Sequence, residues 1–271
     1  MGSANVDLVV RVERLPRPGE TVLGGEVARR PGGKGANQAA AAARLGARTT
    51  LITSLGDDEA GNWLAERIAQ GGVELAPVAR SARATGTAFI TVDDHGENQI
   101  VVAGGANLDL DARAAALDTF DVVLAQLEVP DAVVADLAAR TERLVLNVAP
   151  ARPLCADVLE RCAVVIANEV EAASLDLAAL EHCVVTLGAR GAARYRYGVE
   201  VEHASAPVVR AVDTVGAGDV FCAAYAVRYA LGDDRALAYA AVAGALATLA
   251  PGAQGALPSD QEVHSWLELD S

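Results

Sequence analysis

Two glycine-rich stretches carry the residue types from which phosphate chemistry could be built. Asp213-Thr214-Val215-Gly216-Ala217-Gly218-Asp219 runs directly into the apolar Val220-Phe221-Cys222-Ala223-Ala224-Tyr225. Gly216 and Gly218 around a small alanine let the backbone turn tightly and come close to a ligand. The apolar run reads as a buried helix, which puts the turn at its N-terminus. There, unpaired N–H groups and the positive end of the helix dipole make an anion site. Asp219 at that spot could act as a general base; taken alone, the stretch reads as readily as a capping aspartate behind glycines that shape a loop. The second stretch, Gly32-Gly33-Lys34-Gly35-Ala36-Asn37-Gln38, feeds an alanine-rich helix expected from about Asn37 to Leu45. It is not a Walker A loop, because Gly35 follows Lys34 and no Ser or Thr stands ready for magnesium. A dinucleotide fingerprint fits poorly as well, since no Gly-x-Gly-x-x-Gly directly follows a strong apolar strand.

Strands and helices must hold these turns. Val6 to Val12 reads as a strand, and Thr21 to Arg29 as a second extended stretch after the break at Pro16-Arg17-Pro18-Gly19-Glu20. Thr50 to Leu55 reads as a strand and Glu59 to Gln70 as a helix. Residues 87–92 and 98–102 flank Asp93-Asp94-His95-Gly96-Glu97 as a hairpin. Because no helix separates the hairpin strands or the two early ones, they are expected to form a small β-sheet lid, from about 8–31 and 84–103. Strands follow at 122–126, 144–148, 164–167 and 184–187, then an antiparallel pair over 194–203. Long helices are expected at 218–230 and 235–250, a loop at 251–256 and a last helix at 260–267. Strands alternating with helices predict an α/β fold, a doubly wound, mainly parallel sheet flanked by helices, in a single domain over 1–271.

Composition narrows the partners. The chain has 271 residues, 52% hydrophobic, with only two Trp, five Tyr and three Phe, so Ala, Val and Leu must fill its core. A net charge of −14 argues against nucleic acid or an anionic membrane as partner, and any phosphate site must be made locally. Cys155, Cys162, Cys183 and Cys222 show no Cys-x-x-Cys pair; each falls in an apolar segment and reads as a buried free thiol in a reducing cytoplasm. No signal peptide or membrane-spanning run is evident.

Together, the two glycine turns resemble the ribokinase branch of the PfkB carbohydrate kinase family. Shorter matches lie in order around them: Gly2-Ser3-Ala4-Asn5-Val6-Asp7, Gln126-Leu127-Glu128, the run from Leu146 to Arg152, Asn168-Glu169-Val170-Glu171, and Thr186-Leu187-Gly188-Ala189-Arg190-Gly191. The resemblance covers nearly the whole chain and implies ATP-dependent transfer of a phosphoryl group to a sugar's primary hydroxyl. It makes Asp219 the base, with N–H groups around Gly216, Ala217 and Gly218 holding the charge of the transferred group. A Cβ at Gly216 or Gly218 would on this view push the phosphate away. Asn5, Asp7, Gly33, Lys34, Asn37 and Glu128 match sugar-contacting positions. Asn168, Thr186, Gly188, Arg190, Gly191 and Gly218 match the nucleotide side, and residues 242–246 are expected to wall the adenine. Glu171 would organise Mg2+ through water, although an Asn with a Glu three residues on is otherwise an ordinary capping arrangement. Asp213, Val215, Ala247, Ala250, Gly252 and Ala256 match a K+ site.

Two departures from the family pattern stand out. The segment between Asn168 and Val184 is short. The first motif begins at Gly2, where the family has an apolar strand before it, so about six to ten residues are expected to be lacking, with an unpaired sheet edge and an apolar slot as the result. The resemblance implies a kinase for ribose at O5, a dimer through the lid being possible. The alternatives are a related kinase for another small sugar, polyol or nucleoside, a nucleotide-dependent oxidoreductase, or a sugar-binding protein without catalysis.

Overall fold

The computed structural model describes residues 1–76 and 79–269. In chain order the strands are β1 (Asn5–Arg11), β2 (Val27–Gly32), β3 (Thr50–Leu51), β4 (Ser54–Gly56), β5 (Glu74–Leu75), β6 (Ala79–Ser81), β7 (Gly86–Val92), β8 (Asn98–Ala103), β9 (Val123–Gln126), β10 (Leu144–Asn147), β11 (Val164–Asn168), β12 (Cys183–Thr186), β13 (Ala192–Arg196) and β14 (Val199–Ala204). The helices are α1 (Lys34–Arg44), α2 (Glu59–Gln70), α3 (Asp131–Arg140), α4 (Ala156–Glu160), α5 (Glu169–Ala172), α6 (Ala217–Ala230), α7 (Ala236–Leu246) and α8 (Asp260–Leu269).

A six-stranded sheet in the order β14-β13-β12-β11-β10-β9 forms the centre, with β9 to β12 parallel and β13 and β14 antiparallel. The parallel strands β9 to β12 are mostly apolar, as burial on both faces demands, whereas β14 at the edge is charged and largely exposed. Alternate residues serve opposite layers. Val145, Val164, Ile166 and Val184 pack with α1, α6 and α7, while Leu144, Leu146, Val165 and Val185 pack with α3. Between α6 and α7 the contact surface is largely alanine, so the two helices approach closely beneath the sheet.

The early strands and the hairpin form a separate four-stranded sheet, β2-β1-β7-β8, outside the central one. Several sequence expectations shift in detail. The extended stretch expected at 21–29 becomes strand only from Val27, running to Gly32, because its partners are the residues of β1. Pro31 is tolerated there, opposite Val6, although proline lacks a ladder donor. The single strand expected over 50–55 is two, β3 and β4, each pairing with a different short parallel strand. α1 begins three residues early, at Lys34, because Gly33 at φ 86° supplies the turn. α7 tightens into a 3-10 turn at Ala247–Leu249.

The outer edge of β9 pairs with no strand among the described residues. Instead the amino terminus crosses it: the Met1 ammonium donates to Leu124 O at 2.7 Å and Gly2 N–H to Ile52 O at 3.1 Å. Beside this crossing lies a small, open apolar slot bordered by Leu51, Ile52, Val123, Leu124, Ala39 and Ala223. The unpaired edge lies at β9; beside Asn5 itself, contrary to expectation, the sheet is paired on both sides, with Gly32 and Gly86. One cysteine departs from expectation: Cys155 is exposed, since it precedes the short surface helix α4, whereas Cys162, Cys183 and Cys222 are buried free thiols.

Candidate active site

The tertiary fold brings both glycine turns to one place. Asp219, in the first turn of α6, is buried beside the first turn of α1. Its Oδ2 accepts from Asn37 Nδ2 at 3.0 Å and its Oδ1 from Gln38 Nε2 at 3.0 Å. Burial pushes the Asp219 carboxyl above the ordinary range; Lys34, Asn37 and Gln38 oppose that shift, while Glu128 adds to it. Burial also works against the Lys34 ammonium, but Asp219 and Glu128 outweigh it and hold its pKa above the usual value. Glu128, just beyond β9, ties the turns together: its Oε2 accepts from the Ser3 hydroxyl at 2.5 Å and from Lys34 N–H at 3.0 Å.

Asp7 and Asn5 enter from β1. Asn5 Oδ1 accepts from Asn107 Nδ2 at 2.7 Å, and Asn107 Oδ1 accepts from Ala4 N–H at 2.9 Å. A buried asparagine 102 residues away thus orients Asn5, and no local signal in the sequence marks it. A Cβ at Gly32 would enter the space of the Asp7 carboxylate, which would have to turn away from its present position. Burial first, then Glu128 and Asp219, push Asp7 up to about 7, against the pull of Arg30.

A raised carboxyl pKa carries a sign for stability. Asp7's contribution is fully present below about pH 4, its unfolded value, and is lost as pH rises through about 7. Asp7→Asn should therefore stabilise the protein more at pH 8 than at pH 5, by at most about 3 kcal/mol for a shift of this size. Melting temperatures of both proteins at the two pH values decide it, and an equal difference at both would refute the assignment.

The α6 turn is partly as expected. Gly216, at φ 83°, caps the helix. Its missing Cβ would strike Ala253 in the 251–256 loop, so that loop and the positive φ both demand glycine there. At Gly218 a Cβ would meet nothing within 4 Å, which leaves open space toward the site. The Ala217 N–H donates to Thr214 O at 3.2 Å. The N–H groups of Gly218 and Asp219 have no acceptor among the described residues.

From Gly218 a cleft of about 1060 Å3 runs between the strand ends and α7, lined by Thr186, Gly188, Gly191, Ala217, Phe221, Ala241, Gly244, Ala245 and Thr248. Ala241, Gly244, Ala245 and Thr248 share one helical face; Val242 and Leu246, within the range expected to wall the base, turn into the core instead. Val208, 99% exposed, stands at the cleft's rim. Arg190 lies outside the cleft lining, exposed and ion-paired with Glu169. Asn168 and Glu171 form a capping box on α5, with Glu171 N–H donating to Asn168 Oδ1 and Asn168 N–H to Glu171 Oε2, both at 2.8 Å. Neither side chain lines the cleft.

Asp213 clamps the turn to the 251–256 loop. Its Oδ1 accepts from Val215 N–H at 2.9 Å and its Oδ2 from Gly252 N–H at 2.8 Å. From the same loop, Gln254 Nε2 donates to Asn37 Oδ1 at 3.0 Å. Arg30, on β2, reaches Pro251 O. Gln254 and Arg30 were not singled out from the sequence, because only the fold brings them near Asn37 and Asp7.

This arrangement, a buried carboxylate at a helix N-terminus between a cluster of polar side chains and a cleft walled by small residues, is suited to phosphoryl transfer. The pfkB family carbohydrate kinase pattern matches residues 1–260. The chain belongs to that family. It is 38% identical to ribokinase of Bacillus subtilis over 98% of both chains. The ribokinase structure of Thermotoga maritima superposes with a TM-score of 0.90 at 29% identity, covering 98% of this chain and 97% of the other. That of Arabidopsis thaliana ribokinase complexed with ribose and ATP gives a TM-score of 0.88 at 31% identity, over 98% and 97%. The chain is thus a carbohydrate kinase with a ribokinase-like fold.

Proposed function

We propose that this carbohydrate kinase transfers the γ-phosphoryl group of ATP to O5 of ribose, with Asp219 as the base. What carries this reading is the Asp219 carboxylate, held by Asn37 and Gln38 one residue from the Gly218 end of the cleft. Relatives named ribokinase, and the structure of one with ribose and ATP, support the substrates. Asn5, Asp7, Gly33, Lys34, Asn37 and Glu128 would grip the sugar, since carboxylates and carboxamides each serve two neighbouring hydroxyls. In a loose transition state the hydroxyl proton leaves late, so a positioned carboxylate suffices to take it. Meanwhile the free N–H groups of Gly218 and Asp219 would hold charge on the transferred group. The four-stranded sheet would act as the lid that excludes water.

Glu171 fits a magnesium ion held through water. Its Oε2 is committed to the cap, Oε1 takes no hydrogen bond among the described residues, and there no three His, Cys, Asp or Glu converge into a direct site. Mg2+ would neutralise the ATP phosphates. For K+ the residues also fit, as Asp213 and the carbonyls of Val215, Ala247, Ala250, Gly252 and Ala256 are the hard oxygen donors such an ion takes. Asp213 already joins the anion turn to the loop that bears most of them. The reading includes a cytoplasmic setting, where ATP is supplied, and a dimer through the lid. The apolar, exposed Phe89, Ile100, Val101 and Val102 on that sheet support the dimer.

ADP release with a panel of pentoses, hexoses and nucleosides tests the reading, run in sodium, potassium and a bulky organic cation. Ribose should give the highest kcat/KM and potassium the highest rate. A better substrate of another class would overturn the ribose assignment; equal rates in all three salts would overturn the potassium site.

A further inference from the structure

Asp219 is held by carboxamides, and one of them is itself held in place. Gln38 Nε2 donates to Asp219 Oδ1 and, at 3.2 Å, to Asn147 Oδ1. Gln38 Oε1 accepts from Gln126 Nε2 at 2.5 Å. Asn147 Nδ2 in turn donates to Ile166 O at 3.3 Å. Gln38 and Gln126 are each 1% exposed, so water does not compete for these bonds. Both border the apolar slot beside Met1, not the nucleotide cleft.

The polarity of the chain follows from chemistry. An ionised carboxylate only accepts, so Gln38 must turn its nitrogen to Asp219 and is left with its oxygen facing Gln126. Gln126 must then offer its own nitrogen, and its Oε1 is buried with no partner. A buried unpaired acceptor is a standing cost to the fold. Turning either amide over would set oxygen against oxygen at Gln38 or at Asp219. The orphan atom on Gln126 is what the arrangement costs.

We propose that Gln38, oriented by Gln126, is a positioning residue that holds the Asp219 carboxylate in one orientation as proton acceptor. This rests on the reading of Asp219 as the base. The charged and titratable groups around Asp219 are Lys34 on α1, Asp7 on β1, Glu128 beyond β9, Glu171 on α5 and Cys222 on α6. Of these Lys34 opposes the effect of burial most; the bonds from Asn37 and Gln38 add to its pull, and Glu128 works against them.

The test is the pH dependence of kcat for Gln38→Met and Gln126→Met beside Asp219→Asn, at saturating sugar and ATP. Under those conditions the profile reports groups of the loaded enzyme, and Asp7's effect on sugar capture falls in kcat/KM. Losing a hydrogen bond to a charged group should move the acid limb of Gln38→Met upward by about one to two pH units. KM for the sugar should stay within about twofold, since the proposal gives Gln38 no bond to substrate. Gln126→Met, which leaves every group touching Asp219 in place, should move the limb the same way by less. An acid limb unmoved in Gln38→Met, whatever happens to kcat, would overturn the proposal, for a merely structural glutamine lowers activity without moving it. If Gln38→Met does not fold, Gln126→Met decides in the same way. Should Asp219→Asn keep more than about a tenth of kcat, the base itself is misassigned. If Asp219→Asn is inactive and the limb stays still, only the role of Gln38 fails.

Discussion

Asp219→Asn should leave the fold and sugar binding in place while lowering kcat by roughly 10²–10⁴-fold, the usual worth of a general base. The substitution keeps the side chain's shape at a buried position where α1 and α6 meet. It removes a charge that burial disfavours, so the melting temperature should not fall above neutral pH. One of the two donors, Asn37 or Gln38, will face the new amide nitrogen and must adjust. Steady-state ADP release, with sugar affinity measured separately, checks the prediction. A kcat above about a tenth of wild type would remove Asp219 from the role of base.

Extending the chain upstream of Met1 with five or six apolar, β-favouring residues should raise both stability and kcat/KM. The slot beside β9 offers an unpaired strand edge on one side and apolar walls around it. Each apolar side chain buried there is worth about 1.5–3 kcal/mol. In a protein of this size that corresponds to about 2–4 °C of melting temperature per kcal/mol. The extension would also replace the buried Met1 ammonium, which desolvation pushes down to about 5, with a neutral amide. A cation with a lowered pKa weakens the fold below its unfolded value of 8.0 and does so fully by about pH 5, so the unextended protein should gain stability relative to the extended one between pH 5 and 8. The extended one should lose that slope. Because Gly2 and Ser3 lead directly into Asn5 and Asp7, anchoring the start should also steady the sugar grip. Melting curves at the two pH values and kcat/KM decide it; no gain in either would sink the idea.

The two predictions draw on different levels of the chain. Asp219 was legible because its chemistry is local. Glycines that permit the turn, a carboxylate beside them and an apolar helix after them are all consecutive, and local propensity writes such features directly into sequence. The same holds for Leu144 to Asn147 and Val164 to Asn168, whose nearly continuous apolar runs reflect burial on both faces. The slot was anticipated only by comparing the start of the chain with a family pattern, and the edges that bound it come from β3 and β9, far apart in sequence. Tertiary structure alone decided which residues share the surroundings of Asp219. Gln126, Asn147 and Asn107 carry no mark as single residues, and their function arises from bonds spanning 88, 109 and 102 positions. It also decided against local appearance in three places. Arg190 went to Glu169, Cys155 to the surface, and Gly216 to the close approach of Ala253. The physical reason is the same in each case. A residue's type and neighbours limit what it can do, but its partner depends on which distant surfaces pack together, and hydrophobic packing of the layers, not local propensity, settles that.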